Sequence, residues 1–333
     1  MTKATKMHSS PYRQPYSSMC RREPLKRWYK TLLSVTDFTT SLWLFTCNDF
    51  KTMIFPSTAF AVFYSLGLFP GQASPLALLA RLPYVLCWTW VNLLAFTVNN
   101  QRYPAAVAED RLNKPWRPIP AGRISVQSAQ ILGVLAYPLS VLTGLMVGGG
   151  AIQSLLLVAF GCVYNHPGPS SRGFVARNLL NGLGFMSFAS GALDVVLLPG
   201  QRGSASVLFD GDALGWLTML VAIIATTVHS QDLYDQDGDA AAARETVPLV
   251  LGEGPARWSV AVGAVCWSLV SAAYWGCGWA GCSIPGAIAL WVASRTLLRR
   301  TVEEDRVTFV IYNCWLVSVY ALPLVARRGV APN

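Results

Sequence analysis

LGWLTMLVAIIATTVHSQDLYDQDGD, residues 214–239, reads as a membrane span that ends in a carboxylate-bearing turn of helix. From Leu214 to Val228 no side chain is charged, as expected of a segment that crosses ~30 Å of hydrocarbon in a helix of ~20 residues. Asp232, Asp235 and Asp239 then follow at i, i+3 and i+7. At ~100° per residue the three share one helical face, while Asp237 points elsewhere. Three carboxylates on one face at a membrane edge repel one another, and a divalent cation that prefers hard oxygen ligands, such as Mg2+, resolves the repulsion.

The rest of the chain has the same character. Of 333 residues, 53% are hydrophobic and only 13% charged, whereas a soluble domain carries about a quarter charged residues. A ~20-residue window places nine spans at 51–69, 76–98, 126–147, 150–164, 174–199, 213–232, 257–276, 278–297 and 307–326. The predicted fold is an all-α polytopic membrane bundle of about nine transmembrane helices; little more than Gly276–Gly278 separates the seventh and eighth, which leaves a tight helical hairpin or eight spans as the alternatives there. Residues 1–30, with eight Lys or Arg against one acid, read as a disordered cytoplasmic tail. Residues 31–50, with Asp37 and Asp49 among aromatics, read as an interfacial helix. Residues 51–326 form one transmembrane domain, and 327–333 a C-terminal tail.

The net charge of +9 does not indicate nucleic acid, because the basic residues lie between membrane segments and not on a soluble face. They instead report topology. With the basic tail inside, nine spans put the loops holding Arg102, Arg111, Lys114, Arg117 and Arg123, then Arg172 and Arg177, then Arg244 and Arg257, then Arg299, Arg300 and Arg306 on the cytoplasmic side. The eight cysteines show no CxxC or Cys/His spacing and read as buried free thiols.

A second polar loop opens on the same side as the aspartate helix: VNNQRYPAAVAEDRLNKPWRPIPAGR, residues 98–123. The two loops share a loose order, Asp110, Arg117, Pro118 and Gly122 against Asp239, Arg244, Pro248 and Gly252, which suggests a duplicated helical unit. An isolated carboxylate triplet also fits a solvated helix end. A second acidic and basic loop facing it favours a metal that bridges diphosphate oxygens, with Arg and Lys neutralising the remaining charge. His229 reads as hydrogen-bonded structure sooner than as ligand or base, and Asp194, near the opposite face, as an interfacial residue.

These loops resemble the signatures of the UbiA superfamily of intramembrane prenyltransferases, nine-helix bundles with one aspartate-rich motif after the second helix and another after the sixth. The resemblance runs from about residue 50 to 325. It implies Asp232, Asp235 and Asp239 as magnesium ligands and Arg244 as a diphosphate contact. Asn113-Lys114-Pro115-Trp116-Arg117-Pro118 matches the stretch that follows the first aspartates, with Asp110 in the place of the last of them. Tyr164, Arg172, Arg177 and Asn181 sit where the family keeps a Tyr, basic residues and an Asn. The family's earlier aspartate falls on Ala106, so Asn99, Asn100, Glu109 and Asp110 would share the first metal.

The resulting site has Asp110, Asp232, Asp235 and Asp239 as catalytic residues. On this reading Asn100, Lys114, Arg117, Arg172, Arg177 and Arg244 would bind diphosphate, and Asn99, Glu109, Asp110, Asp232, Asp235 and Asp239 would bind Mg2+. The altered first motif, FTCNDFKTMIFPSTAF at 45–60 and IYNCWLVSVYALP at 311–323 resemble the fungal branch of membrane-bound terpene cyclases. The implied activity is ionisation of farnesyl or geranylgeranyl diphosphate and cyclisation of the carbocation, for terpenoid secondary metabolism at the endoplasmic reticulum. Transfer of the prenyl group to an aromatic acceptor remains an alternative, and a transporter or lipid-binding protein is a rival of another class. Substrate and bilayer are the expected partners, and no oligomeric state is assigned.

Overall fold

The computed structural model describes residues 22–68, 74–165, 173–197 and 205–326. Every regular element among them is helical. The described residues fall into two compact units, divided after Thr40. The first helix, α1 (Arg22–Thr46), begins inside the stretch expected to be a tail and leaves Val35 and Phe38 exposed. A short 3-10 turn and a wide π turn at Phe50–Ile54 lead into α2 (Phe55–Leu68). Pro56 has no N–H to return to the carbonyl of Thr52, so the ladder loosens there.

Then come α3 (Pro75–Gln101), α4 (Pro104–Asn113), α5 (Val126–Met146), α6 (Ala151–Asn165) and α7 (Phe174–Val196). The second half holds α8 (Gly211–Thr227), α9 (Asp232–Ala241), α10 (Val247–Leu251), α11 (Glu253–Tyr274), α12 (Gly278–Leu298), α13 (Val302–Tyr320) and α14 (Leu322–Val325). Seven helical stretches among the described residues are long and apolar enough to cross a membrane. The other two expected spans correspond to α2 and α6, of 14 and 15 residues, which fall short of the ~20 a full crossing takes.

Local signals set the boundaries. Ser74, Ser125, Asp210 and Thr301 each accept a backbone N–H at the start of α3, α5, α8 and α13. Gly276 and Gly278 take φ of 61° and 60° in a tight turn between α11 and α12, which decides for the hairpin of two helices. Gly122 and Gly252, the paired glycines of the two polar loops, also share positive φ, at 70° and 90°.

The bundle interior is tied by polar links as well as by apolar packing. At one end Arg81 donates to Val147 O and Val195 O, both at 2.6 Å, satisfying terminal carbonyls of α5 and α7. Asp194 belongs to this end: it accepts from Gln153 Nε2 at 2.8 Å and from Val207 N at 2.9 Å. Deeper in, Trp88 Nε1 donates to Ser154 Oγ at 3.1 Å, and Ser154 Oγ donates to Ser140 O, joining α3, α6 and α5. The indole fits only because its neighbours lack side chains. A Cβ on Gly191 would lie 2.0 Å from Trp88 Cη2, and one on Gly150 2.6 Å from Nε1. Gly191→Ala is therefore expected to destabilise the bundle by about 2 kcal/mol through overpacking, measured as a lower thermal midpoint in detergent.

The cysteine expectation needs correction. The described cysteines are free thiols, but Cys87, Cys162, Cys266 and Cys314 are exposed on outward helix faces, and only Cys277 is buried. In a bilayer the outside is as apolar as the core, so burial is no condition for an apolar side chain. Cys20 lies outside the described residues.

Candidate active site

At the other end of the bundle the two polar loops form short helices, α4 and α9, and these meet. Gly238 makes the approach possible: a Cβ there would lie 2.1 Å from Asn113 Nδ2 and 2.9 Å from Glu109 Cγ. Asn113 Nδ2 also donates to Asp235 O at 3.2 Å, tying the end of α4 to the first turn of α9. Asp237 is exposed on the far face of α9, as its spacing predicts.

The charges of the two loops interlock. Lys114 Nζ of the first loop bonds Asp235 Oδ2 of the second at 3.0 Å. Arg244 Nη1 of the second bonds Glu109 Oε2 of the first at 2.7 Å and Asp239 Oδ1 at 3.2 Å. Within the first loop, Arg117 Nη1 donates to Asp110 Oδ1 at 2.7 Å, and its Nη2 lies 3.9 Å from Asp49. From α7, Arg177 Nη1 reaches both oxygens of Asp232 at 2.7 Å. Asp110, Asp232 and Asp239 are each 1% exposed. Removing a member leaves an uncompensated charge where its partner has no second counter-ion, as for Arg177 and Asp232, whereas Arg244, paired with both Glu109 and Asp239, keeps one when the other is lost.

The site nevertheless has unmet bonding capacity of both signs. Asp110 Oδ2 and Asp239 Oδ2 are buried acceptors without a donor, and Arg117 Nε, Arg177 Nε and Asn181 Nδ2 are buried donors without an acceptor. Burial, only partly opposed by Arg117 and reinforced by Glu109, pushes the Asp110 carboxyl up to about 6. Burial likewise pushes Asp239 up to about 7, against the pull of Arg177 and with the push of Asp232. Arg244 is held above its ordinary value although burial opposes this, chiefly by Glu109 and next by Tyr164. Among the described residues no three Asp, Glu, His or Cys side chains already converge on one point. The donor set still fits Mg2+, because the free acceptors are hard carboxylate oxygens and a dication would offset the burial that opposes their charge.

An apolar pocket, partly open to the outside, adjoins this end. Met53, Phe96, Leu157, Phe160, Leu180 and Phe188 make its apolar walls, Gly161 and Gly184 leave gaps in them, and Tyr164 and Asn181 are its polar members. Asn181 lies one helical turn beyond Arg177 on α7, so the polar rim of the pocket lies beside the ion-pair cluster.

Asp110, Asp232, Asp235, Asp239, Glu109, Lys114, Arg117, Arg177 and Arg244 are thus brought together in this cluster. Asn99 is turned away, a correction to its expected place among the metal ligands. Its Nδ2 donates to Ala95 O and Gly133 O, its Oδ1 accepts from Arg102 Nε, and Gly133 gives it room to dock on α5. Asn100 donates to Asn165 Oδ1 at 2.8 Å, linking the ends of α3 and α6. Arg172 lies outside the described residues. His229 bonds Ser259 Oγ through Nε2 at 2.7 Å, in keeping with a structural role.

The UbiA prenyltransferase family profile matches residues 53–317 of the chain. The chain belongs to that family. Across 314 residues it is 29% identical to the fumagillin beta-trans-bergamotene synthase of Aspergillus fumigatus, covering 89% of this chain and 96% of that one. It is also 30% identical over 230 residues to a polyprenyl transferase of Hericium erinaceus, covering 65% and 70%. Its fold matches a UbiA homologue from Archaeoglobus fulgidus bound to GPP and Mg2+, with a TM-score of 0.58 at 16% identity over 85% of this chain and 99% of that one. In this UbiA-family chain three groups of residues escape sequence reasoning. Asp49, reaching Arg117, lies on a different element from either motif. Asn113 acts as the tie between α4 and α9. Phe96, Phe160 and Met53 join a pocket that no periodicity announces.

Proposed function

We propose that this membrane enzyme ionises a prenyl diphosphate and cyclises the resulting allylic carbocation. The observation that carries the proposal is the pair of unmet sets in one cluster: acid oxygens of Asp110 and Asp239 that lack a donor, and nitrogens of Arg117, Arg177 and Asn181 that lack an acceptor. A metal diphosphate is the ligand class that satisfies both at once. Asp110, Asp232, Asp235 and Asp239, with Glu109, would hold Mg2+, which when bound neutralises charge on the leaving diphosphate.

Lys114, Arg117, Arg177 and Arg244 would turn from their carboxylate partners to the phosphate oxygens, so the preorganised positive charge sits where the leaving group gains negative charge. The C–O bond breaks with its electron pair leaving on the diphosphate. The prenyl tail would lie in the pocket below, where Phe96, Phe160 and Phe188 offer ring faces to a cation and no strong nucleophile. In the same proposal the basic loops and the site face the cytoplasm of an endoplasmic-reticulum membrane. Near-full-length similarity to a bergamotene synthase supports cyclisation over transfer.

The test is to incubate membranes containing the protein with Mg2+ and farnesyl or geranylgeranyl diphosphate, without acceptor, and to analyse the extract by gas chromatography–mass spectrometry. A cyclic hydrocarbon or alcohol that disappears with EDTA is expected. No acceptor-free product, with prenylation once an aromatic acceptor is added, would make the enzyme a prenyltransferase.

A further inference from the structure

We infer that Gly161 and Gly184 keep the waist of the prenyl pocket open and so let it accept long chains; this rests on the pocket being the prenyl site. Most glycines of this chain have a local reason. Gly182 meets Val221 O at 2.7 Å from where its Cβ would be, Gly191 meets Trp88, and Gly238 meets Asn113. Others, such as Gly122 and Gly252, take positive φ.

Gly184 has neither reason. It lies within α7, its φ is not positive, and a Cβ built on it meets nothing within 4 Å. Glycine weakens a helix interior, so what this one supplies is space, and the space is the pocket. Gly161, within α6, borders the same pocket, where its Cβ would only touch Phe96 Cδ2 at 3.4 Å.

Their depth gives the gap its meaning. Along α7 the pocket is lined in order by Asn181, Gly184 and Phe188. At 1.5 Å rise per residue Phe188 lies ~10 Å beyond Asn181, with Gly184 near the midpoint. Asn181 marks the polar rim, and Phe188, its ring T-shaped to that of Trp88, lines the apolar end. A chain that reaches Phe188 must pass Gly184, and a side chain at 184 would fill the passage without disturbing α7.

The test compares wild type, Gly184→Ala and Gly184→Val on geranyl, farnesyl and geranylgeranyl diphosphates with Mg2+, reading pyrophosphate release. In parallel, the three reaction-inert thiolodiphosphates are tested for thermal stabilisation of the full-length protein. In Gly184→Val the kcat/KM ratio of geranylgeranyl to geranyl diphosphate is expected to fall about tenfold or more, with a smaller step in the same direction for Gly184→Ala. The stabilisation by long analogues should fall in parallel. An unchanged ratio, or an equal loss for all three lengths, overturns the waist even where turnover is normal. Wild-type protein that releases no pyrophosphate, yet is stabilised by the analogues in an order that Gly184→Val shifts toward shorter chains, would sink the proposed reaction and uphold the waist.

Discussion

Asp239→Asn is expected to lower Mg2+-dependent pyrophosphate release from a prenyl diphosphate by about a thousandfold, while the thermal midpoint of the detergent-solubilised protein stays the same or rises. The two halves of this expectation have one cause. Asp239 is 1% exposed, with Oδ2 lacking any donor, so the fold holds a charge it does not itself fully satisfy. With the folded carboxyl pushed up to about 7 by burial, the contribution of this group to stability is complete below the ordinary carboxylate value. It is lost as pH rises through about 7. Asparagine keeps the shape and escapes that loss, so the variant's advantage in midpoint should grow as pH rises toward neutrality. It also removes an anionic oxygen suited to a divalent cation. A variant that keeps its turnover, or one that unfolds at every pH, would contradict this account of Asp239.

Gly238→Ala tests the meeting of the loops in place of their charge. The added methyl would lie 2.1 Å from Asn113 Nδ2 and 2.9 Å from Glu109 Cγ, so Asn113 must leave Asp235 O, and the Glu109 side chain must turn aside or carry α4 away from α9. Glu109 moves in either case and Lys114 with α4, and both have partners on the α9 side. Misplacement of groups by ~1 Å costs about a hundredfold in rate, and a loss of that order in kcat/KM is expected. The far end of the bundle, held by Arg81 and Trp88, does not share this contact. The check is pyrophosphate release together with the thermal midpoint; full activity would mean that the two helices do not act as one unit.

Much of this arrangement was legible in the residues, because membrane chains write their constraints plainly. The charge-free run before His229 and the Asp232, Asp235, Asp239 spacing fixed a span and the face beyond it, and the structure places these carboxyls as the spacing requires. The short fourth span, α6, was legible as such, but the break between the π turn at Phe50–Ile54 and α2 was not, since the apolar window runs across it. Asn99 misled because an amide beside an acidic motif has the composition of a ligand, and only the packing of α5 reveals that Gly133 receives it. The pocket was the least legible part. Trp88 and Phe185, aromatics on the expected spans, are buried in the core, whereas Phe96 and Phe160 join Phe188 at the cavity from separate helices. Nothing in a helix's own periodicity says which apolar face meets lipid, a neighbouring helix or a cavity, as all three are apolar.

The most direct test of the central claim is anomalous diffraction from crystals of the protein grown with Mn2+, in place of Mg2+, and farnesyl thiolodiphosphate. The account predicts anomalous density bounded by carboxylates of both loops, Asp110 or Glu109 on one side and Asp232, Asp235 or Asp239 on the other, with Lys114, Arg177 and Arg244 turned to the diphosphate. Metal and diphosphate bound away from this cluster, with the Lys114–Asp235 and Arg177–Asp232 pairs intact, would contradict it.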